Sequence, residues 1–330
     1  MRLENLLSGR LSKTLVKGTL VIALGGNAIK RANQSGTAED QLRNLRITCE
    51  QLAEIVGMGY RVAITHGNGP QVGDLSLQQE LAKDAVPPQP LDILGAMTQG
   101  QIGYMIQQSL GNALRGRGLK VPVVTVLTQV VVDPNDPAFK DPTKPIGPFY
   151  DEDEAGRASK ERGFLIKRVR EVGDKCFRRV VPSPEPKEVV EEEAVSKLLD
   201  LGFIVISVGG GGIPVIWEND RLRGVEAVID KDFASEILAE GINADALMFL
   251  TDVDAVRLNY GKANEIKIGR ISVSEVERYY LEGHFPPGSM GPKVLAAMRF
   301  VRRTGNRAII TSLEKAVDAL EDRAGTIVFR

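Results

Sequence analysis

Cysteine and histidine are scarce: two of each occur in 330 residues, at Cys49, Cys176, His66 and His284. Two thiols cannot build a disulfide framework, and two imidazoles cannot supply a multi-histidine zinc site. Aromatic residues make up only 5%. Neither sign of charge dominates: 42 Lys+Arg against 43 Asp+Glu give a net charge of −1, so the bulk balance does not mark a nucleic-acid binder. No apolar run approaches the roughly 20 residues of a membrane helix. The opening segment, MRLENLLSGRLSKTLVK, lacks the continuous apolar stretch of a secretory signal. The expectation is a cytoplasmic protein with no membrane and no nucleic-acid partner, preceded by a short N-terminal extension over residues 1–17.

Glycine is the residue in surplus. The chain holds 34 glycines, about a tenth of its length against about 7% in an average protein. Their placement follows a set of short Val/Ile-rich runs: Thr19–Leu24, Arg61–Thr65, Val121–Leu127, Phe203–Val208, Ala246–Leu250 and Arg307–Ile310. Runs without apolar/polar alternation indicate strands covered on both faces, as in a parallel sheet. Helical patterns over Gln41–Met58, Glu191–Leu201, Phe233–Glu240 and Lys293–Arg303 alternate with them, which is the α/β layout. Ligands of such sheets bind beyond the carboxyl ends of the strands. Those ends read Gly25-Gly26-Asn27, Gly67-Asn68-Gly69 and Gly209-Gly210-Gly211-Gly212, followed by Thr251 to Asp254 after the fifth run.

Val131–Pro186 stands apart: it carries 8 of the 17 prolines, an acidic run at 151–154 and a basic stretch from Lys167 to Arg179. It reads as an inserted subdomain whose charge runs are solvated faces. Trp217–Gly224 reads as a polar loop or hairpin tip, ending at a boundary between two halves near Val225.

Two lysines sit where a cation opposes the helix dipole. Lys231 adjoins Asp232, which the pattern makes an N-cap, and Lys293 follows Pro292 at the start of a helix. A helix N-terminus already attracts phosphate, and an added lysine strengthens that. Lys144 lies in a proline-bounded stretch, Pro142-Thr143-Lys144-Pro145, that reads as a rigid loop able to carry a cation to the site. No G-x-x-x-x-G-K-[ST] and no protein-kinase signature is present. Gly67–Gly73 resembles a dinucleotide fingerprint, but Val86-Pro87-Pro88-Gln89-Pro90 cannot supply the second strand.

The strings ALGGNA (23–28), HGNGPQVG (66–73), AMTQGQIGY (96–104), LTQVVVDP (127–134), PTKPIGPF (142–149), VVPSP (180–184), GGGGIPV (209–215), GVEAVIDKDFAS (224–235), LTDVD (250–254), NYGK (259–262) and GHFPPGSMGPK (283–293) closely resemble the carbamate kinase family, part of the amino acid kinase superfamily. The resemblance runs in order from about residue 19 to the end. It implies a three-layer αβα sandwich with a mainly parallel central sheet and a protruding subdomain at 131–180. It implies an N-terminal half (18–225) for carbamate or carbamoyl phosphate and a C-terminal half (226–330) for ATP or ADP, in a homodimer. It also implies Mg²⁺ carried by the nucleotide phosphates, with no dedicated protein metal site, and a place in arginine metabolism. By residue, it implies that Gly25, Gly26 and Asn27 grip the transferring phosphoryl group. Gly67, Asn68 and Gly69 would face the carbamate, with Gly209, Gly210, Gly211 and Gly212 near the junction. Lys231, Lys293 and Lys144 would neutralise phosphate, and Asp232 would hold the lysines. Thr251, Asp254, Tyr260 and Met290 would serve the nucleotide. A lysine two residues before Gly25-Gly26, which marks acetylglutamate kinases, is replaced by Ala23. Another small-acid kinase of the superfamily and a non-catalytic nucleotide sensor on the same fold are the rival readings.

Overall fold

The computed structural model describes residues 16–31, 34–286, 288 and 290–330; most of the expected N-terminal extension, residues 1–15, lies outside them. Eight strands form the central sheet: β1 (Gly18–Leu24), β2 (Tyr60–His66), β3 (Val123–Thr125), β4 (Ile204–Ile206), β5 (Ala246–Thr251), β6 (Arg270–Ser272), β7 (Arg307–Ser312) and β8 (Thr326–Phe329). Their spatial order is β6-β8-β7-β5-β1-β2-β4-β3. Every pairing is parallel except β7 with β8.

Helices cover both faces. They are α1 (Ala38–Gly57), α2 (Gly69–Ala82), α3 (Leu91–Gly116), α4 (Glu152–Arg162), α5 (Glu192–Asp200), α6 (Lys231–Gly241), α7 (Val273–Leu281), α8 (Met290–Thr304) and α9 (Ala316–Leu320). The period-2 geometry of β1 assigns the layers. Leu20, Ile22 and Leu24 pack with Leu45, Leu52, Ile102, Ile106 and Leu320 of α1, α3 and α9. Val21 and Ala23 pack on the opposite side with Leu199, Leu238, Val276 and Phe300 of α5 to α8. With both faces covered, the strand is apolar at every position, which is why no alternation shows in the sequence.

Several expected elements change in extent. The run Val121–Leu127 contributes a strand only over Val123–Thr125. The run Phe203–Val208 contributes only Ile204–Ile206, because Val208 turns into the left-handed region at φ 52°. Two helices carried no clear amphipathic signal. α3 has glycines at 95, 100, 103, 111 and 116, and α2 begins inside the glycine motif at 69. Their register is set by packing, since glycine lowers helix propensity and supplies no side chain to repeat.

The insertion is a folded subdomain. Lys144–Tyr150 pairs antiparallel with Phe177–Val181, which pairs with Ile166–Arg168, and α4 packs beside them. Lys144 therefore opens a strand, paired with Val181, and does not sit in a loop. Val131 and Val132 fall outside the subdomain: Gln129–Val132 joins a separate sheet with Ile213–Glu218, Arg221–Gly224 and Pro186–Val189. The acidic run at 151–154 is more than a solvated face. Asp151 and Glu154 form a reciprocal capping box that starts α4. The stretch 217–224 is a hairpin turning at Asn219 and Asp220, both at positive φ. Gly73 of α2 fixes the subdomain in place, because a Cβ there would collide with the Gly147 backbone.

Candidate active site

The chain adds β2, β4 and β3 to one side of β1 and β5, β7, β8 and β6 to the other. The reversal between β1 and β5 is the switch point at which open α/β sheets bind ligands. The Gly25 amide donates to the Leu250 carbonyl at 3.0 Å and ties the two strand ends together. A cleft of about 620 Å³ opens there, lined by Gly25, Gly26, Asn27, Thr251, Asp252, Gly288 and Lys293, with Arg31 and Glu314 at its sides. Gly26 has open space where a Cβ would stand, so protein packing does not demand glycine at that position.

The second and third glycine loops meet behind this cleft. A Cβ on Gly67 would touch the Lys231 side chain at 3.7 Å. Gly210 stands at φ +68°, and a Cβ there would collide with the Asn68 side-chain amide. Any larger residue there combines left-handed strain with a collision. Gly210→Ala should therefore cost about 1–3 kcal/mol of stability; an unchanged melting temperature would contradict the packing. Asn68 is buried and donates to the Thr98 hydroxyl at 2.8 Å.

The lysines converge on one carboxylate. Lys231 Nζ lies 2.5 Å from Asp232 Oδ1, and Lys293 Nζ lies 3.2 Å from Oδ2. The carboxylate side chain is 6% exposed and the two lysine side chains 12% and 15%. Burial alone would raise the Asp232 carboxyl, but the two ammonium groups outweigh it and hold it below its ordinary value. Burial, with repulsion from Lys293, depresses the Lys231 ammonium despite the attraction of Asp232. Both ammonium groups thus meet on the Asp232 carboxylate, and Asp230 also attracts Lys231.

Asp232 is not the N-cap of α6. That position belongs to Asp230, whose carboxylate accepts from the Asp232 amide at 3.0 Å. Its other oxygen accepts from Lys144 Nζ at 2.6 Å, linking the subdomain to the start of α6. The sequence pattern placed the cap two residues late, leaving Asp232 free of capping and available to the lysines. Asp230 went unrecognised, although the string Ile229-Asp230-Lys231-Asp232 holds both acids.

Other expected residues fall elsewhere. Asp254 and Tyr260 do not line the cleft. The Asp254 carboxylate is held by Lys267 and Arg257, whose hydrogen bonds pull it down to about 2, and Tyr260 is 63% exposed. Thr251 lies in the cleft wall, its hydroxyl donating to Asp252 at 2.9 Å, and Met290 opens α8 beside Lys293. His66 is fully buried, and burial drives its imidazole to about 4, helped by Lys231 and opposed by a hydrogen bond at the Gly67 carbonyl. It is neutral at physiological pH and stands as a packing group against Gly209. Among the described residues, no three His, Cys, Asp or Glu side chains group as a metal cage.

Glycine loops and buried lysines at the switch point of an αβα sandwich define a small-molecule phosphotransferase, and the chain belongs to the amino acid kinase family, whose model matches residues 18–312. Its relatives include carbamate kinases. That of Pyrococcus horikoshii is 55% identical over 311 residues, covering 94% of this chain and 98% of the relative. That of Thermococcus kodakarensis is 56% identical over 314 residues, covering 94% and 99%. The solved carbamate kinase of Giardia lamblia bound to AMP-PNP superposes with a TM-score of 0.88 at 45% identity, covering 94% of this chain and 98% of that one.

Proposed function

We infer that the protein is a carbamate kinase, interconverting ATP plus carbamate with ADP plus carbamoyl phosphate. The observation that carries the reading is the buried arrangement of Lys231 and Lys293 on a single carboxylate, Asp232, at a glycine-lined cleft. In the forward direction a carbamate oxygen bonds to the γ-phosphorus as the bond to the β–γ bridging oxygen breaks. ADP then leaves with that electron pair. Carbamate arrives already ionised, so the step needs no general base. His66, whose imidazole burial holds at about 4, is a weak base and has no proton to take. What remains is positioning and neutralisation of the moving phosphoryl group.

Lys231 and Lys293 supply the neutralisation, and Asp232 keeps both ammonium groups in place between turnovers. The amides of Gly25, Gly26 and Asn27 face the phosphoryl group. Gly67, Asn68 and Gly69 face the carbamate, and Gly209 to Gly212 complete the junction. Thr251 and Met290 border the nucleotide, which occupies the C-terminal half, 226–330; carbamate belongs to the half 18–225. Mg²⁺ would arrive on the nucleotide phosphates and would screen their charge; Asp252 and Glu314 line the same cleft. The protein acts in the cytoplasm as a homodimer. Ile93, Met97 and Tyr104, exposed on α3, offer an apolar surface for that contact.

Lys144 belongs to the substrate side. Lys144→Met should raise the KM for carbamoyl phosphate about tenfold, the cost of roughly 1.4 kcal/mol of lost charge attraction, and leave the KM for ADP nearly unchanged. Equal changes in both constants would displace Lys144 from that role. The reading as a whole is tested by coupled assay of ATP formation from ADP. Carbamoyl phosphate is compared with acetylglutamyl phosphate and aspartyl phosphate at equal concentration. Turnover of either alternative in preference to carbamoyl phosphate would replace this substrate, and binding of ADP without any turnover would make the protein a sensor.

A further inference from the structure

The groups assigned above leave unexplained a run of buried polar side chains on α3. Gln99 is 1% exposed and uses its whole amide. Its Nε2 donates to the carbonyls of Thr128 and Gly209, both at 3.0 Å, and its Oε1 accepts from the Thr128 amide at 2.8 Å. The Thr128 hydroxyl in turn accepts from the Val208 amide at 3.1 Å and donates to the Val126 carbonyl at 2.8 Å. Two arms of the network therefore end on Val208 and Gly209, the residues that open the tetraglycine loop. One position earlier, the Thr98 hydroxyl accepts from the Asn68 side chain at 2.8 Å and donates to the Gly95 carbonyl at 2.7 Å. Adjacent residues of one helix thus hold both inner substrate loops.

We propose that Gln99 is a positioning residue for phosphoryl transfer, fixing the Gly209 carbonyl and with it the course of the loop 209–212. The inference rests on the reading of those loops as substrate-binding. Its physical basis is the freedom of glycine. Gly210, Gly211 and Gly212 all take positive φ, and four successive residues without side chains are the least self-restrained backbone available. Within the loop, the Gly211 and Gly212 amides reach back to Val208 and Gly209, so whatever fixes those two residues fixes the turn. A primary amide suits the task because it donates twice and accepts at the same time. Methionine of similar length does neither. An ionised glutamate cannot donate and would set an oxygen against two carbonyls.

The test uses the full chain, with ATP formation from ADP and carbamoyl phosphate as readout. Q99M should lose about 10–100-fold in kcat, the scale of a misplacement near 1 Å. Its KM for ADP should stay within about twofold. Q99E should lose a similar factor at about pH 8 and recover toward about pH 6, because burial raises a carboxyl and its protonated form regains a donor. Rates are taken as the ratio of Q99E to wild type and to Q99M, which cancels titration of the substrates and of His66 and Lys231 nearby. Wild-type kcat in Q99M overturns the proposal, even with a lowered melting temperature. So does a Q99E ratio that stays flat with pH, and this arm decides alone if Q99M does not fold. An inactive wild-type enzyme would show before any variant is made and would overturn the substrate reading together with the proposal.

Discussion

Lys231→Met should lower kcat for ATP formation by about 10²–10³, the usual cost of removing one donor aimed at developing charge. Methionine keeps an apolar stem where the lysine chain lies against Gly67 and reaches toward the Phe249 ring, so the fold should persist. Losing an ammonium that burial already disfavours removes a strained charge from the free enzyme. The melting temperature should therefore hold or rise while turnover falls. This opposition of signs separates a catalytic group from a structural one. Turnover within about threefold of wild type would remove Lys231 from the reaction, since a single lost transition-state charge contact costs far more. Loss of turnover with a matching collapse in stability would make it a scaffold.

Asp232→Asn should show the reverse order, with stability affected first. Two ammonium groups would remain buried without the carboxylate that joins them. Breaking one side of a buried charge pair costs about 3–5 kcal/mol. The native carboxyl lies below its ordinary value of about 3.9 because Lys231 and Lys293 overcome the effect of burial. A group depressed on folding contributes stability that is fully present above its unfolded pKa and is lost as the pH falls through its folded value. The difference in melting temperature between wild type and D232N should be level near about pH 5–7 and shrink below about pH 4. Added sulfate or ADP should stabilise D232N more than wild type, because an incoming anion replaces the missing charge. A gap that is insensitive both to acid and to anions would mean that Asp232 does not hold the lysines.

The two predictions share a cause visible only in three dimensions. Lys231 and Asp232 are adjacent in the chain, but Lys293 reaches the same carboxylate from 61 positions away. The sequence pattern marked both lysines as anomalous at helix starts. The family resemblance implied that Asp232 holds them together; the local pattern by itself assigned Asp232 a capping role that Asp230 performs. The strand runs were legible because covered parallel strands are apolar throughout. α3 was not, because five glycines interrupt its side-chain pattern; one of them serves close packing, since a Cβ on Gly103 would collide with Thr125. Gln99 was hidden for a related reason. A glutamine in a helix is usually a solvated residue, and nothing local to the chain shows that it faces two carbonyls.

By itself the sequence determined the α/β class, the strand-end glycines and the motifs by which the family is recognised. These depend on local rules: side-chain period, backbone freedom at glycine, and the order of motifs along the chain. Tertiary structure alone decided which acid caps α6, which side chain holds the tetraglycine loop, and at what distances Lys231, Lys293 and Asp232 meet. Those outcomes depend on distances between residues remote in sequence. They depend also on burial, which raises the cost of an unpaired charge or hydrogen-bonding group and so selects the partners it must have.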